Sequence, residues 1–386
     1  MPTRPTWAEV SLPTLVNNYK LIRDFVAPHA TVCAVVKCDA YGHGAVECAR
    51  ALEAAGATWF GVTSADEGIE LHRAGIAGRI LLMSGIWRGE GQAVVEHNLT
   101  PAIWSAEQIS ELNSAAVKLR RERFPVHIEV DTGMGRQGVS AANLGYVLEA
   151  ARKAKSICIE GLHSHLASSE VVDAPDVEQQ LAAYQRALEQ LAAAQIRPAC
   201  LHLANSAAVV SRKDSWNGLG QSTALVRPGI SLYGYYLPFV TTAGAPAETY
   251  QPPVNPVLSW KTRIIDIRDI EVGQGVGYNL SFVASAPSRI ATLAVGYGDG
   301  FSRALSNRGQ VLIRGALAPI VGKVSMDVAS VDITKIPSAQ IGDEVVLIGE
   351  QDGKRITAAD LAGHTQTIAY EVLCNIGKRV SRRYLS

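Results

Sequence analysis

The sequence predicts an α/β fold: a (β/α)8 barrel followed by a mainly β C-terminal domain. Three observations predict it. Short apolar runs of strand length alternate with alanine- and leucine-rich stretches of helical length through the first part of the chain. The alternation repeats about eight times, which is the count of a closed parallel barrel. A segment rich in Pro, Ala and Thr (residues 241–256) then breaks the pattern, and β-rich runs separated by glycine turns follow it. An open doubly wound sheet is the competing reading of the alternation, and the repeat count favours the barrel.

The strand candidates of the barrel are residues 32–36, 59–62, 79–83, 101–104, 126–130, 158–162, 200–203 and 226–233. Between them, residues 65–74 follow Ser64, residues 106–123 follow Ser105 and residues 177–194 follow Asp176. Ser and Asp are favoured N-caps because their side-chain oxygens take up an orphan amide of the first turn. Beyond the linker, strands are expected at 257–267, 289–295, 310–313, 319–321, 329–333 and 344–348, with a helix at 358–365. Residues 6–12 (TWAEVSL) alternate like a strand and are candidates to pair with the C-terminal sheet. The barrel is thus expected over 12–243, and the β domain over 244–386 together with 1–11.

Composition limits the function. Hydrophobic residues make up 47% and charged residues 19%, enough apolar material for a large core and too little charge for a disordered chain. The 36 basic and 36 acidic residues cancel, so no global attraction to nucleic acid or an anionic membrane is expected. No apolar run reaches the length of a membrane helix, and the N-terminus lacks the pattern of a signal peptide. The six cysteines form no C-x-x-C pair and read as reduced thiols of a cytoplasmic protein.

In a barrel, working side chains stand at the C-terminal ends of the strands. Lys37 closes the first strand and precedes the turn-rich Asp39-Ala40-Tyr41-Gly42-His43-Gly44. Arg136 lies in the glycine-rich loop DTGMGRQG after the fifth strand; His163 and His165 follow the sixth, and Asn205 and Ser206 the seventh. Arg227-Pro228-Gly229-Ile230 opens the eighth. Each has an ordinary reading. A terminal lysine is commonly a solvated cation, although a lysine partly removed from water suits Schiff-base chemistry. His163 and His165 are half of a metal site at best, because no Cys or carboxylate cluster accompanies them, and no metal is expected. Ser206 is commonly just an N-cap, although a serine there, beside Gly229, is also where barrels hold phosphate. The convergence of these residues on one mouth is the stronger signal.

The strings AVVKCDAYGHG, DTGMGR, GLHSHLASSE, HLANSAA, VRPGISLYG, GVGY, VGYGDG and VSMDV occur in that order. In this, nearly the whole chain resembles the alanine racemase family. The resemblance implies a homodimer that binds pyridoxal 5'-phosphate and interconverts L- and D-alanine. It implies that Lys37 holds the cofactor as a Schiff base and serves as one base, with Tyr278, from the partner subunit, as the other. It makes Tyr41, Ser206, Gly229, Ile230 and Tyr370 cofactor phosphate contacts. Arg227 then faces the pyridine nitrogen and His165 packs on the ring. Arg136 lies near the substrate carboxylate, Met326 contacts substrate through its backbone, and Tyr297 belongs to the entrance gate.

Three positions depart from the family pattern. Many members carry a carbamylated lysine where this chain has Glu129, which is expected to orient Arg136 with its own carboxylate. His127, Glu129 and Asp131 alternate on one strand and so share a face. Ser325 stands where a cysteine often precedes Met-Asp, and LASSE follows His165 in place of a phenylalanine-containing segment. These changes keep open a serine or broad-specificity racemase. A decarboxylase on the same scaffold fits less well, because GVGY and VSMDV supply Tyr278 and Met326. A non-catalytic pyridoxal-phosphate carrier would be a lone barrel, whereas this chain has a second domain.

Overall fold

The computed structural model describes residues 4–218 and 222–386. The chain forms two compact units. One comprises Leu15–Ala40 and Ala45–Asn255; the other comprises the residues up to Thr14, Tyr41–Gly44 and Pro256–Ser386.

The first unit is a closed barrel of eight parallel strands. They are Ala30–Val35, Trp59–Val62, Arg79–Leu82, Thr100–Ile103, Phe124–Asp131, Ile157–His163, Cys200–His202 and Thr223–Val226. Each pairs with the next, and Ala224↔Ala30 closes the ring. Cys33, Trp59, Leu81, Cys200 and Leu225 pack together as one buried cluster. Burial pushes the Cys33 thiol up to about 12, so it fills space as an inert apolar group.

The helix signals hold locally. Ser64 caps Ala65–Arg73 in a capping box with Glu67, and Ser105 caps Ala106–Lys118. The long helix Pro175–Ala193 starts earlier than expected, with Pro175 in its first turn, and Asp176 lies inside the helix. Proline suits that position because its missing N–H would have no helical partner. The eighth strand also differs from expectation. It is Thr223–Val226, and Ile230–Tyr233 forms a 3-10 turn. Pro228 cannot donate to a sheet ladder, so the apolar run after it leaves the sheet. Arg227 therefore stands at the C-terminal end of the eighth strand.

The second unit is an antiparallel-rich sheet built on the long strand Leu258–Ile270. Thr6–Ser11 runs antiparallel to it and parallel to Ser381–Leu385, as its alternation suggested. Ser288–Leu293, Gln310–Ile313, Ala329–Asp332 and Glu344–Gln351 are strands near their expected places. Ala316–Pro319 replaces the strand expected at 319–321. The helix Ala358–Thr365 forms as expected, and the helix Ala369–Cys374 follows it. Among the described residues, no helix is long and apolar enough to cross a membrane.

Candidate active site

The first strand delivers Lys37 through an unusual backbone. Lys37–Gly42 is one helical turn, but Cys38, Asp39, Ala40 and Tyr41 all have φ of 53–54°. The turn is left-handed. Left-handed helix crowds Cβ against the carbonyl and costs about 1–2 kcal/mol per residue, so four in a row need support. That support is visible. The Ala40 amide donates to Val36 O at 2.9 Å. Glu67, already the capping-box residue of its helix, accepts from the Cys38 amide at 2.6 Å. Asp39 accepts from the Ala45 amide at 2.8 Å. The preceding strand end is tied down by Tyr233, which donates its hydroxyl to Val35 O at 3.0 Å.

Arg227 is buried and held from several sides. Its Nη1 donates to His202 Nδ1 at 2.9 Å, and its Nη2 donates to Ser164 O at 2.8 Å and Leu203 O at 3.2 Å. His165 Nδ1 lies 3.4 Å from Nη2, a weaker contact. A guanidinium has only donors, so carbonyls and imidazole nitrogens are its natural cage. Beside it, Ser206 Oγ accepts from the Gly229 amide at 2.8 Å and lies 3.1 Å from the Ser231 hydroxyl. Ser206 is not the helix cap. Asn205 is, accepting from the Ala208 amide at 2.9 Å. Ser206 is thus released to face the eighth strand, in a cup where its oxygen accepts from the Gly229 amide and the Ser231 hydroxyl and its own proton remains to be donated to an anion. Gly229 and Ile230, on its rim, are buried.

Three cations act on His165 at this mouth. Burial, and then the charges of Arg227, Arg136 and Lys37, push the His165 imidazole down to about 3, so it is neutral. Arg136 itself is exposed. Glu129 does not form the arginine pair expected of it. Its Oε2 accepts from Gln137 Nε2 at 2.9 Å, and among the described residues no Arg136–Glu129 contact falls within ion-pair range. Burial raises the Glu129 carboxyl to about 7; Gln137 and the charges of Arg227 and Arg136 offset part of that. His163 stacks on His202, with centroids 4.7 Å apart and planes 6° apart, and lies 3.8 Å from Glu129. Among the described residues, no group of His, Cys, Asp and Glu is arranged to hold a metal.

The remaining candidates belong to the β unit. Tyr41 and Tyr370 come together, with ring centroids 6.0 Å apart. Tyr297 and Met326 are joined through their backbones: the Tyr297 amide donates to Ser325 O and the Gly298 amide to Met326 O, each at 2.9 Å. Tyr278 opens a short turn after Gly277 and is 67% exposed.

Sequence reasoning missed His202, Gln137 and Gln180. A polar residue within the apolar run CLHLA was the available signal for His202. Gln180 lies on a helix, and its tertiary role left no pattern. Its Nε2 donates to His165 O and its Oε1 accepts from the Ala167 amide, each at 2.9 Å, which pins the loop after the sixth strand.

Comparison with known proteins agrees with this layout. The family description "Alanine racemase, N-terminal domain" matches residues 10–237, and "Alanine racemase, C-terminal domain" matches 257–384. The alanine racemase of Symbiobacterium thermophilum is 40% identical over 381 residues, covering 99% of this chain and 97% of the relative. That of Halothermothrix orenii is 38% identical over 384 residues, with the same coverage. Among solved structures, alanine racemase from Clostridium difficile has a TM-score of 0.90 at 33% identity, covering 100% of this chain and 97% of that one. An alanine racemase from Bartonella henselae, described with covalently bound pyridoxal phosphate, has a TM-score of 0.84 at 32% identity and covers 99% of each chain. Matched in both of its domains, and by relatives along nearly its full length, the chain belongs to the alanine racemase family.

Proposed function

We propose that this chain is a pyridoxal-phosphate-dependent alanine racemase with two bases, Lys37 and Tyr278, acting as a homodimer in the cytoplasm. The carrying observation is the caged Arg227 beside the Ser206 cup, at a mouth where Lys37 and Arg136 add positive charge. Donors and cations of this kind fit a phosphate-bearing pyridine and a carboxylate substrate. When bound, pyridoxal phosphate supplies the electron sink that makes the Cα proton acidic.

Each side chain has a task in this reading. Inversion requires a proton to leave one face of Cα and another to arrive on the opposite face. A single base tends to return the proton to the face it left, so Lys37 and Tyr278 serve opposite faces. Arg227 donates a hydrogen bond to the pyridine nitrogen but keeps its own proton. With pyridoxal phosphate bound, a donor that keeps its proton would leave the pyridine nitrogen uncharged, which would favour proton return to Cα over side reactions. Neutral His165 packs on the ring without adding charge. Ser206, Gly229 and Ile230, with Tyr41 and Tyr370, are proposed to hold the phosphate, while Arg136, Met326 and Tyr297 are proposed to meet the substrate.

The exposure of Tyr278, together with Leu280 at 61% and Val283 at 55%, supports its service in trans. Apolar side chains clustered at a surface commonly mark an interface. The matched C-terminal domain argues against a lone-barrel carrier protein.

Purified protein loaded with pyridoxal phosphate should racemise alanine faster than serine or lysine. Borohydride should fix the label on Lys37. Faster turnover of serine would overturn the substrate assignment, and a label on another lysine would overturn the site.

A further inference from the structure

A chain of hydrogen bonds runs from Arg227 through the barrel interior toward the N-terminal ends of the strands. Arg227 Nη1 reaches His202 Nδ1 at 2.9 Å; His202 Nε2 and His127 Nδ1 are 2.8 Å apart; His127 Nε2 meets Glu160 Oε2 at 3.2 Å. Glu160 accepts from Arg79 through both oxygens at 2.6 Å. Arg79 is anchored in turn by Thr100 Oγ1 at 2.9 Å and by the Trp59 ring, 4.2 Å below its guanidinium.

The two ends dictate the direction of every bond between them. Arginine only donates, so His202 Nδ1 must accept, and the proton of a neutral His202 must sit on Nε2. His127 Nδ1 must then accept, and its proton must sit on Nε2, where a carboxylate can take the bond. Both rings are fully buried, and burial lowers their pKa values, which keeps them neutral. Burial also pushes the Glu160 carboxyl up, but the bonds from His127 and Arg79 outweigh this and hold it at about 2. The fold makes room for the arrangement. The register slips between Val126↔Ile159 and His127↔Gly161, so Glu160 is the unpaired residue of a β-bulge. Bulges re-aim a side chain. A Cβ on Gly161 would lie 2.5 Å from the His127 ring, so glycine there leaves the imidazole its place.

We propose that Glu160, anchored by Arg79, is a positioning residue for Arg227: it fixes the tautomers of His127 and His202, so that the Arg227 guanidinium always meets an acceptor. The effect on the cofactor rests on the reading of Arg227 as the partner of the pyridine nitrogen. The tautomer order does not.

Glu160→Gln is the sharp test. Arg79 will claim the amide oxygen, leaving the amide NH2 facing His127 Nε2. That reverses the order and sets an N–H of His202 against Arg227. Histidine 15N NMR of the cofactor-free protein should show His127 and His202 protonated on Nε2 in the native chain. In Glu160→Gln, the His127 proton should move to Nδ1, and pyridoxal phosphate should bind about tenfold more weakly, read by quenching of intrinsic fluorescence. Arg79→Met in the Glu160→Gln background frees the amide to turn and should restore both readouts. Nδ1 protonation of either ring in the native chain overturns the proposal, and that measurement needs no variant to fold. Unchanged tautomers and affinity in a folded Glu160→Gln protein, with only a lower Tm, overturn it too. Native tautomers as stated, in a chain with no affinity for pyridoxal phosphate, would instead overturn the functional reading.

Discussion

Glu129 is a buried carboxyl that accepts a hydrogen bond from Gln137. Its place on the fifth strand, two residues from His127, put it on the inward face, and it is indeed buried. The expected carboxylate–arginine pair is replaced by a bond from Gln137, because Arg136 lies in an exposed loop whose path the sequence does not encode locally. The chemistry of this carboxyl makes two outcomes measurable. Its folded-state pKa of about 7 lies above the ordinary 4.5, so the folded chain holds a proton that the unfolded chain has lost. The associated stability is full below pH 4.5 and is lost as pH rises through 7. Glu129→Gln lacks this slope. Relative to the native chain, it should gain up to about 3 kcal/mol between pH 4.5 and pH 8 in urea unfolding of the cofactor-free protein. Parallel pH profiles would refute the assignment. The Glu129 carboxyl is a covalent part of the side chain, whereas a carbamate forms reversibly from carbon dioxide. Racemase activity should therefore not respond to added bicarbonate, and a bicarbonate-dependent rate would point to a carbamylated lysine elsewhere.

At the scale of elements, the turn Lys37–Gly42 is the most demanding piece of backbone. The sequence suggested a tight turn from its Gly-His-Gly punctuation. It could not suggest a left-handed helical turn through Cys38, Asp39, Ala40 and Tyr41, because the intrinsic preference of these residues is right-handed. Tertiary bonds override that preference, notably Glu67 on the Cys38 amide. Gly42 ends the turn at φ +79°, and a Cβ there would lie 2.3 Å from Leu373 O. Gly75 has a similar φ of +85°, but a Cβ on it would meet nothing within 4 Å. Gly75→Ala should therefore cost only the backbone term, about 1–2 kcal/mol. Gly42→Ala adds a clash with backbone that cannot swing away, and overpacking of that kind adds about 1–3 kcal/mol. Chemical denaturation of the two variants separates these terms. Equal losses would mean that the contact with Leu373 O relaxes without cost.

For the whole molecule, the proposed reading has Tyr278 supplied to the site by a second copy. Lys37→Ala and Tyr278→Phe proteins should each be inactive as homodimers. Mixed after subunit exchange, they should regain about a quarter of native activity: heterodimers form half of a random mixture, and each contains one site with both native bases. Exchange is checked by native mass spectrometry of differently labelled subunits. No recovery despite exchange would place both bases within one chain.

Periodicity and motifs by themselves determined the strand–helix alternation, the β-rich second half, the partnership of Thr6–Ser11 with the C-terminal sheet, and the residues gathered at the barrel mouth. These rest on local patterns: a repeat of two for strands, amphipathic runs for helices, and Ser64 and Ser105 at helix starts. Only the tertiary structure decided what those residues bond to. The bond of the Gly229 amide to Ser206 and the pinning of the sixth-strand loop by Gln180 join residues well separated in the chain. The line from Arg227 to Glu160 joins four strands and a bulge, and no single segment carries its pattern. Hydrogen-bond direction and burial are properties of the assembled interior, where water no longer competes for donors and acceptors; there a buried polar group must find its partner among residues that folding brings to it.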